Sequence, residues 1–150
     1  MDKKFKVIDK LVVSCCLGKT NGDAEREVQS FLSSITGQKP VLTRSRKSIN
    51  TFKIRRGMIN GAMVTLRRES AVNFIDILVT LIWPKDSSFK GIKRSSIQGN
   101  TLNFGIKNVL AFPTIDHLEW VRGFNVSLVL RGNINFSTKD YFNKFMIPFK

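Results

Sequence analysis

The residues with the most distinctive chemistry in this chain are cationic. Between Glu27 and Glu69 lie forty-one residues without a carboxylate, and they carry nine Lys or Arg: Lys39, Arg44, Arg46, Lys47, Lys53, Arg55, Arg56, Arg67 and Arg68. Unpaired cations at that density attract a polyanion, because each phosphate they neutralise releases condensed counterions. Hydroxyl, aromatic and glycine residues punctuate the stretch at 43–48, Phe52, Gly57 and Gly61. That pattern predicts an exposed loop between two strands, able to lay guanidinium groups along a phosphate backbone. A rival chemistry centres on the single histidine, His117, which stands with Asp116 and Glu119 as a general acid and base for RNA cleavage. No second base, glycine-rich phosphate cradle or metal cluster accompanies it, and a lone His in a polar connector is far more often solvated than catalytic. Cys15 and Cys16 are adjacent in a predicted strand, so they point to opposite faces and neither bond each other nor share a metal. With one histidine there is no zinc-ligand spacing, and no cofactor is expected.

Composition narrows the partner. Twenty-five basic against eleven acidic residues give a net charge of +14 over 150 residues, and 42% of the chain is hydrophobic. The length suits one domain, 1–150, with a core of its own. The charge exceeds what solubility requires and points to nucleic acid or an anionic membrane. The longest apolar run, 71–83, contains Asp76 and falls short of the roughly 20 residues a membrane span needs, so it reads as a core helix. The first ten residues carry Asp2 and Asp9 and match neither a signal peptide nor a transit peptide.

Strands and helices must position these cations. Residues 6–16 alternate, with Leu11, Val13 and Cys15 on one face and Lys10, Val12 and Ser14 on the other. After a turn at 18–23, Asp23 caps a predicted helix in which Ala24, Val28, Phe31, Leu32 and Ile35 recur at helical spacing. Glu25 and Glu27 sit near its positive end and Gly37 stops it. Residues 41–46 form a predicted strand feeding the basic loop, and 62–68 a strand returning from it. Ser70 caps a second predicted helix, whose Ala71, Phe74, Ile75, Leu78, Val79 and Ile82 form an apolar stripe that Pro84 ends. Extended segments are expected at 101–107, 109–112 and 124–131, and a last helix from Ser137 with Asp140 in its first turn. The expected fold is α+β: a mainly antiparallel sheet with helices packed on one face and an open face for RNA. Lys10, Ser14, Thr65, Arg67, Asn125 and Ser127 fall on that open face, a suitable surface for phosphates and 2′-hydroxyls, although a solvated face is equally common in antiparallel sheets. Trp83 and Trp120 could stack on bases, but core or helix-end packing is the stronger reading of both.

Several blocks carry a family resemblance. Gly37 through Ser48, then Phe52, Lys53, Ile54, Arg55, Arg56 and Gly57, then 61–67, closely resemble the bacterial-type ribosomal protein five of the large subunit, which carries 5S rRNA in the central protuberance. The resemblance continues, in order, through Phe89, Lys90 and Gly91, 103–107, 112–115, 122–126, Pro148 and Phe149. It implies rRNA contacts from Ser14, the turn holding Gln38 and Lys39, and Thr65. Lys10, Thr43, Arg67, Asn125 and Ser127 are expected on the same footprint.

The resemblance further implies that the basic loop reaches the elbow of peptidyl-site tRNA through Arg46, Lys47, Ser48, Phe52, Lys53, Arg55, Arg56 and Met58. It also implies an intersubunit bridge to a small-subunit head protein through Lys85, Phe89 and Lys90. Neighbouring large-subunit proteins are expected as further partners. Family members usually have Asn where this chain has Ser14, and Gly where it has Cys16, which shortens one RNA-facing side chain and removes one close backbone approach. The bacterial proteins' amino-terminal helical extension has no counterpart in these 150 residues. That difference, the wealth of Phe, Ile, Asn and Lys, and the sequence at 122–126 look like mitochondrial members. A mitochondrial ribosome, with 5S rRNA or a replacement rRNA, is therefore expected ahead of a plastid or a bacterial cytoplasm. A free RNA-binding module that regulates a transcript or intron would use the same charge and sheet, and only the resemblance argues against it.

Overall fold

In the computed structural model of the chain, residues 7–17, 22–87, 89–113, 115, 118–131 and 145–150 are described. Six strands form one sheet: β1 (Ile8–Cys16), β2 (Val41–Arg44), β3 (Ile59–Leu66), β4 (Ile97–Gln98), β5 (Thr101–Ile106) and β6 (Phe124–Leu130). Their order across the sheet is β2-β3-β1-β6-β5-β4 and every neighbouring pair is antiparallel. Two helices, α1 (Gly22–Thr36) and α2 (Arg68–Ile77), contribute their apolar faces to a common core. The α+β architecture with a mainly antiparallel sheet is thus as the sequence predicts.

Alternation in the strands decides which face is covered. Leu11, Val13 and Cys15 of β1, Ala62, Val64 and Leu66 of β3, and Phe124, Val126, Leu128 and Leu130 of β6 are all buried. Against them pack Val28, Phe31, Leu32 and Ile35 of α1, with the Phe31 and Phe124 rings 5.7 Å apart. Gly37 ends α1 with φ +67°, and its N–H donates to the Ser33 carbonyl at 2.8 Å.

Several local expectations are corrected. Asp23 lies inside the first turn of α1 and not at its cap, where its charge still favours the helix dipole. The strand expected over 41–46 stops at Arg44, and the one expected over 62–68 spans Ile59–Leu66, because the pairing of β2 with β3 is carried towards the loop by Ile59. Arg67, extended, precedes α2 and supplies no side-chain cap, so Ser70 is not the cap. Pro84 does not end the second helix. After α2 the chain widens into a π-helical turn, Leu78–Ile82, and continues as Trp83–Lys85. Proline lacks the N–H that would bond four residues back and its ring crowds that carbonyl; the wide turn upstream accommodates both. Asp86 N–H then closes the end on the carbonyls of Ile82, at 3.1 Å, and Trp83, at 3.3 Å. Val109–Ala111 is a 3-10 turn and not an extended segment. The helix expected from Ser137, and most of the turn before Asp23, lie outside the described residues.

Candidate nucleic-acid interface

Strand register lays the uncovered face out in rows. Val41, Met63, Ser14, Asn125 and Gly105 run across β2, β3, β1, β6 and β5 as successive partners. The next row is Thr65, Val12, Ser127 and Asn103, and the one beyond it holds Lys10, Val129 and Thr101. Toward the opposite end, Thr43 pairs with Gly61, which pairs with Cys16. Thus Lys10, Ser14, Thr43, Thr65, Asn125 and Ser127 share one surface, with Asn125 exposed and the others half-buried. Apart from Lys10 their side chains are short, and none is aromatic, which suits backbone and 2′-hydroxyl contacts read by shape.

The face is less polar than the sequence suggests. Val12, Met63 and Val129 sit among the hydroxyl groups, and Val41 is 66% exposed at the edge. Asn103 and Thr101 belong to the same surface but go unmarked by the sequence, because β5 shows its register only once paired with β6. At Gly61 the backbones of β3 and β1 come so close that a Cβ would stand 2.3 Å from the Cys15 carbonyl oxygen. Gln38 and Lys39 are exposed between α1 and β2, and Gln38 N–H donates to Thr36 Oγ1 at 3.3 Å. Arg67 carries its guanidinium back to Asp9, 3.3 Å from the carbonyl oxygen and 3.8 Å from Oδ1.

The basic loop is an ordered hairpin. Ser45 N–H donates to the Met58 carbonyl at 2.8 Å and Gly57 N–H to the Ser45 carbonyl at 2.9 Å. Further out, Ile49 and Ile54 exchange N–H donors at 2.8 and 3.1 Å, and a 3-10 turn, Asn50–Phe52, closes the tip. Lys53 takes the left-handed conformation, φ 54°, that lets the chain reverse. Arg46, Lys47, Lys53, Arg55 and Arg56 are exposed around this arm, and Phe52 is 71% exposed at its tip. Ser48 and Met58, expected to contact ligand, are engaged within the hairpin: Ser48 Oγ donates to the Ile54 carbonyl at 3.2 Å, and Met58 Sδ accepts Arg55 N–H at 3.3 Å.

The corner after α2 is built on Trp83. Its ring stacks on Phe89, centroids 4.8 Å apart and 4° from parallel, and meets Phe104 edge-on at 5.7 Å. Trp83 is 6% exposed, so core packing is the correct reading of this residue. Lys85 and Lys90 are exposed at the same corner, while Phe89 is half-buried against the indole. A cleft of about 640 Å³ opens there, lined by Trp83, Phe89, Phe104, Lys93, Lys107 and Lys150 among others.

Of the residues weighed for catalysis, Asp116 and His117 lie outside the described residues, and Glu119 is exposed with its N–H on Glu27 Oε2 at 3.2 Å. Glu27 Oε1 also accepts Trp120 N–H at 2.8 Å and Val121 N–H at 3.0 Å. This carboxylate therefore ties the 119–121 segment to α1, beyond any effect on the helix dipole. No sequence spacing signals a contact between residues so far apart. Cys15 is buried and donates its thiol to the Gly123 carbonyl at 3.3 Å, whereas Cys16 is exposed. Burial pushes the Cys15 thiol up from 9.0 to about 11, with the charges of Cys16 and Glu27 adding to the effect. Among the described residues no group of three His, Cys, Asp or Glu could hold a metal ion, and no helix is long and apolar enough to cross a membrane.

Comparison with known proteins matches the sequence to a family. The profile described as "Ribosomal protein L5" matches residues 7–55, and a second profile, for the C-terminus of the same ribosomal family, matches 59–149. A protein of Gloeothece citriformis named "Large ribosomal subunit protein uL5" is 38% identical over 150 residues, covering 97% of this chain and 83% of that protein. Its namesake in a Picosynechococcus species is 36% identical over 146 residues, covering 94% and 81%. That of Malacoplasma penetrans is 40% identical over 127 residues, covering 81% and 68%. The chain therefore belongs to the ribosomal protein L5 family, as a structural constituent of the large ribosomal subunit that serves translation and is not an enzyme.

Proposed function

We propose that the chain, as a single ribosomal-protein domain, holds 5S rRNA or its replacement rRNA in the central protuberance, with the uncovered sheet face as the contact. The observation that carries this is the row structure of that face. Ser14 and Asn125 stand opposite each other, and Thr65 and Ser127 flank Val12, so hydrogen-bonding groups repeat at strand spacing with no aromatic side chain among them. Lys10, Gln38, Lys39, Thr43 and Arg67 supply the margins of this footprint.

The hairpin arm has a separate task, contact with peptidyl-site tRNA. Arg46, Lys47, Lys53, Arg55 and Arg56 would meet phosphates, Phe52 would meet bases, and Ser48 and Met58 act by shaping the arm. Lys85, Phe89 and Lys90 form the bridge to a small-subunit head protein. Placement in a mitochondrial ribosome rests on the composition, whereas the bacterial relatives favour a bacterial ribosome. Fractionation of cells expressing a tagged chain, followed by sequencing of the co-sedimenting rRNA, separates the two.

Sedimentation of variants tests the division of labour. Thr65→Arg should keep the chain out of large subunits by crowding the RNA face. Replacing Arg46, Lys47, Lys53 and Arg55 together by Ala should leave assembly intact and weaken tRNA retention in the peptidyl site. An assembling Thr65→Arg protein with a non-assembling arm variant would overturn the proposal.

A further inference from the structure

Where β1 begins, its pairing with β6 slips: Ile8 pairs with Leu130 and Lys10 with Val129, which leaves Asp9 as an extra residue. A bulge of this kind re-aims a side chain. Here it brings the Asp9 carboxylate between two guanidiniums, Arg67 just past the end of β3 and Arg131 just past the end of β6. Arg67 lies 3.8 Å, and Arg131 4.0 Å, from the same carboxylate oxygen. Their strands flank β1 on its two sides, so Arg67 and Arg131 reach Asp9 from either side of the end of β1 where Lys10 lies.

As stabilising ion pairs these contacts are poor. Both guanidinium side chains are more than half exposed, at 57% and 70%, and exposed pairs at such distances add little. As a binding arrangement they are apt. Two guanidiniums flank one carboxylate, with Lys10 next to it in the chain, so the group keeps a net positive charge, and a guanidinium with five N–H donors can face Asp9 and still present a fork to a phosphate.

Resting on the proposed RNA-binding role of the open face, we infer that Arg67, Lys10 and Arg131, gathered at the β1 bulge by Asp9, form a phosphate-binding subsite for the backbone of the RNA lying on that face. Arg67 and Arg131 touch phosphate, and Asp9 is a positioning residue that restrains both guanidiniums before the RNA arrives.

Filter binding of the full chain to a bacterial 5S rRNA transcript, over a series of KCl concentrations, tests this. Arg131→Gln should reduce the slope of log affinity against log salt by about 0.9, the loss of one phosphate contact. Arg26→Gln, an equal charge change on exposed α1, should leave the slope as in the wild type. Arg131→Lys should restore the slope but not the full affinity, since it keeps the charge and loses the fork. In an Asp9→Asn background, Arg131→Gln should cost less affinity than in the wild type, because the guanidinium is no longer held in place. Equal behaviour of Arg131→Gln and Arg26→Gln in a binding-competent protein overturns the subsite and spares the wider reading. Failure of the wild-type chain to bind with salt dependence overturns both.

Discussion

Cys15 and Cys16 show how far one residue step separates two chemistries in a strand. The buried Cys15 thiol is held on the Gly123 carbonyl, and its ionisation is pushed up to about 11, whereas Cys16 stands exposed on the uncovered side of the sheet. Iodoacetamide at about pH 8 should therefore label Cys16 in the native protein and reach Cys15 only after unfolding, since the thiolate is the nucleophile. Two labelled thiols in the native state would contradict the burial. Because the folded thiol ionises above its unfolded value of 9.0, its neutral form stabilises the fold fully below pH 9, and that contribution is lost as the pH rises toward 11. The urea midpoint should fall more over that window in the wild type than in Cys15→Val, which has no thiol to titrate. The opposite faces of the two cysteines, and of Ser14 between its buried neighbours, were legible in the sequence because a strand alternates with period two. The partners of Asp9 were not legible, because Arg67 and Arg131 meet it only through strand order and a bulge.

At the scale of elements, Glu27 is the clearest case of a role invisible in the sequence. Helical spacing places it beside the apolar stripe of α1, but its three backbone donors come from residues 119–121. Glu27→Gln keeps the size, removes the charge and replaces one acceptor oxygen by a donor. It should cost about 1–3 kcal/mol, the worth of charge-assisted hydrogen bonds, measured as a lower urea midpoint with unchanged slope. An unchanged midpoint would show that the 119–121 segment stands without this tie. Helix existence was legible from periodicity, and strands β1 and β6 from clean alternation. The boundaries around α2 were not, since Pro84 signals a stop by local rules while the π-helical turn before it lets the helix pass. The hairpin arm was legible as a basic excursion between strands, yet its internal ladder depends on Ile49 and Ile54, which read as ordinary loop residues.

For the whole molecule, the core is one cluster spread over the helix-side face of six strands, and its centre lies on β1 and β6. Leu11 and Leu128, partners across those strands and fully buried, should each lose about 2–5 kcal/mol of stability on replacement by Ala, measured by urea unfolding. A much smaller loss would mean that the sheet centre collapses around the void. The α+β class and the covered face follow from patterning, but strand order does not, because neighbours such as β1 and β6 are distant in the chain. Strand order also sets what lies at the margins. Beyond β3 the sheet ends in β2, four residues closing on Arg44, and beyond β5 in β4, two residues long. Long flat edges recruit further strands, whereas short ones tipped with charge offer few unpaired backbone groups in a row. Two copies of the chain should therefore pair poorly through these described edges, which leaves the broad uncovered face, and not the sheet's margins, as the surface open to a partner.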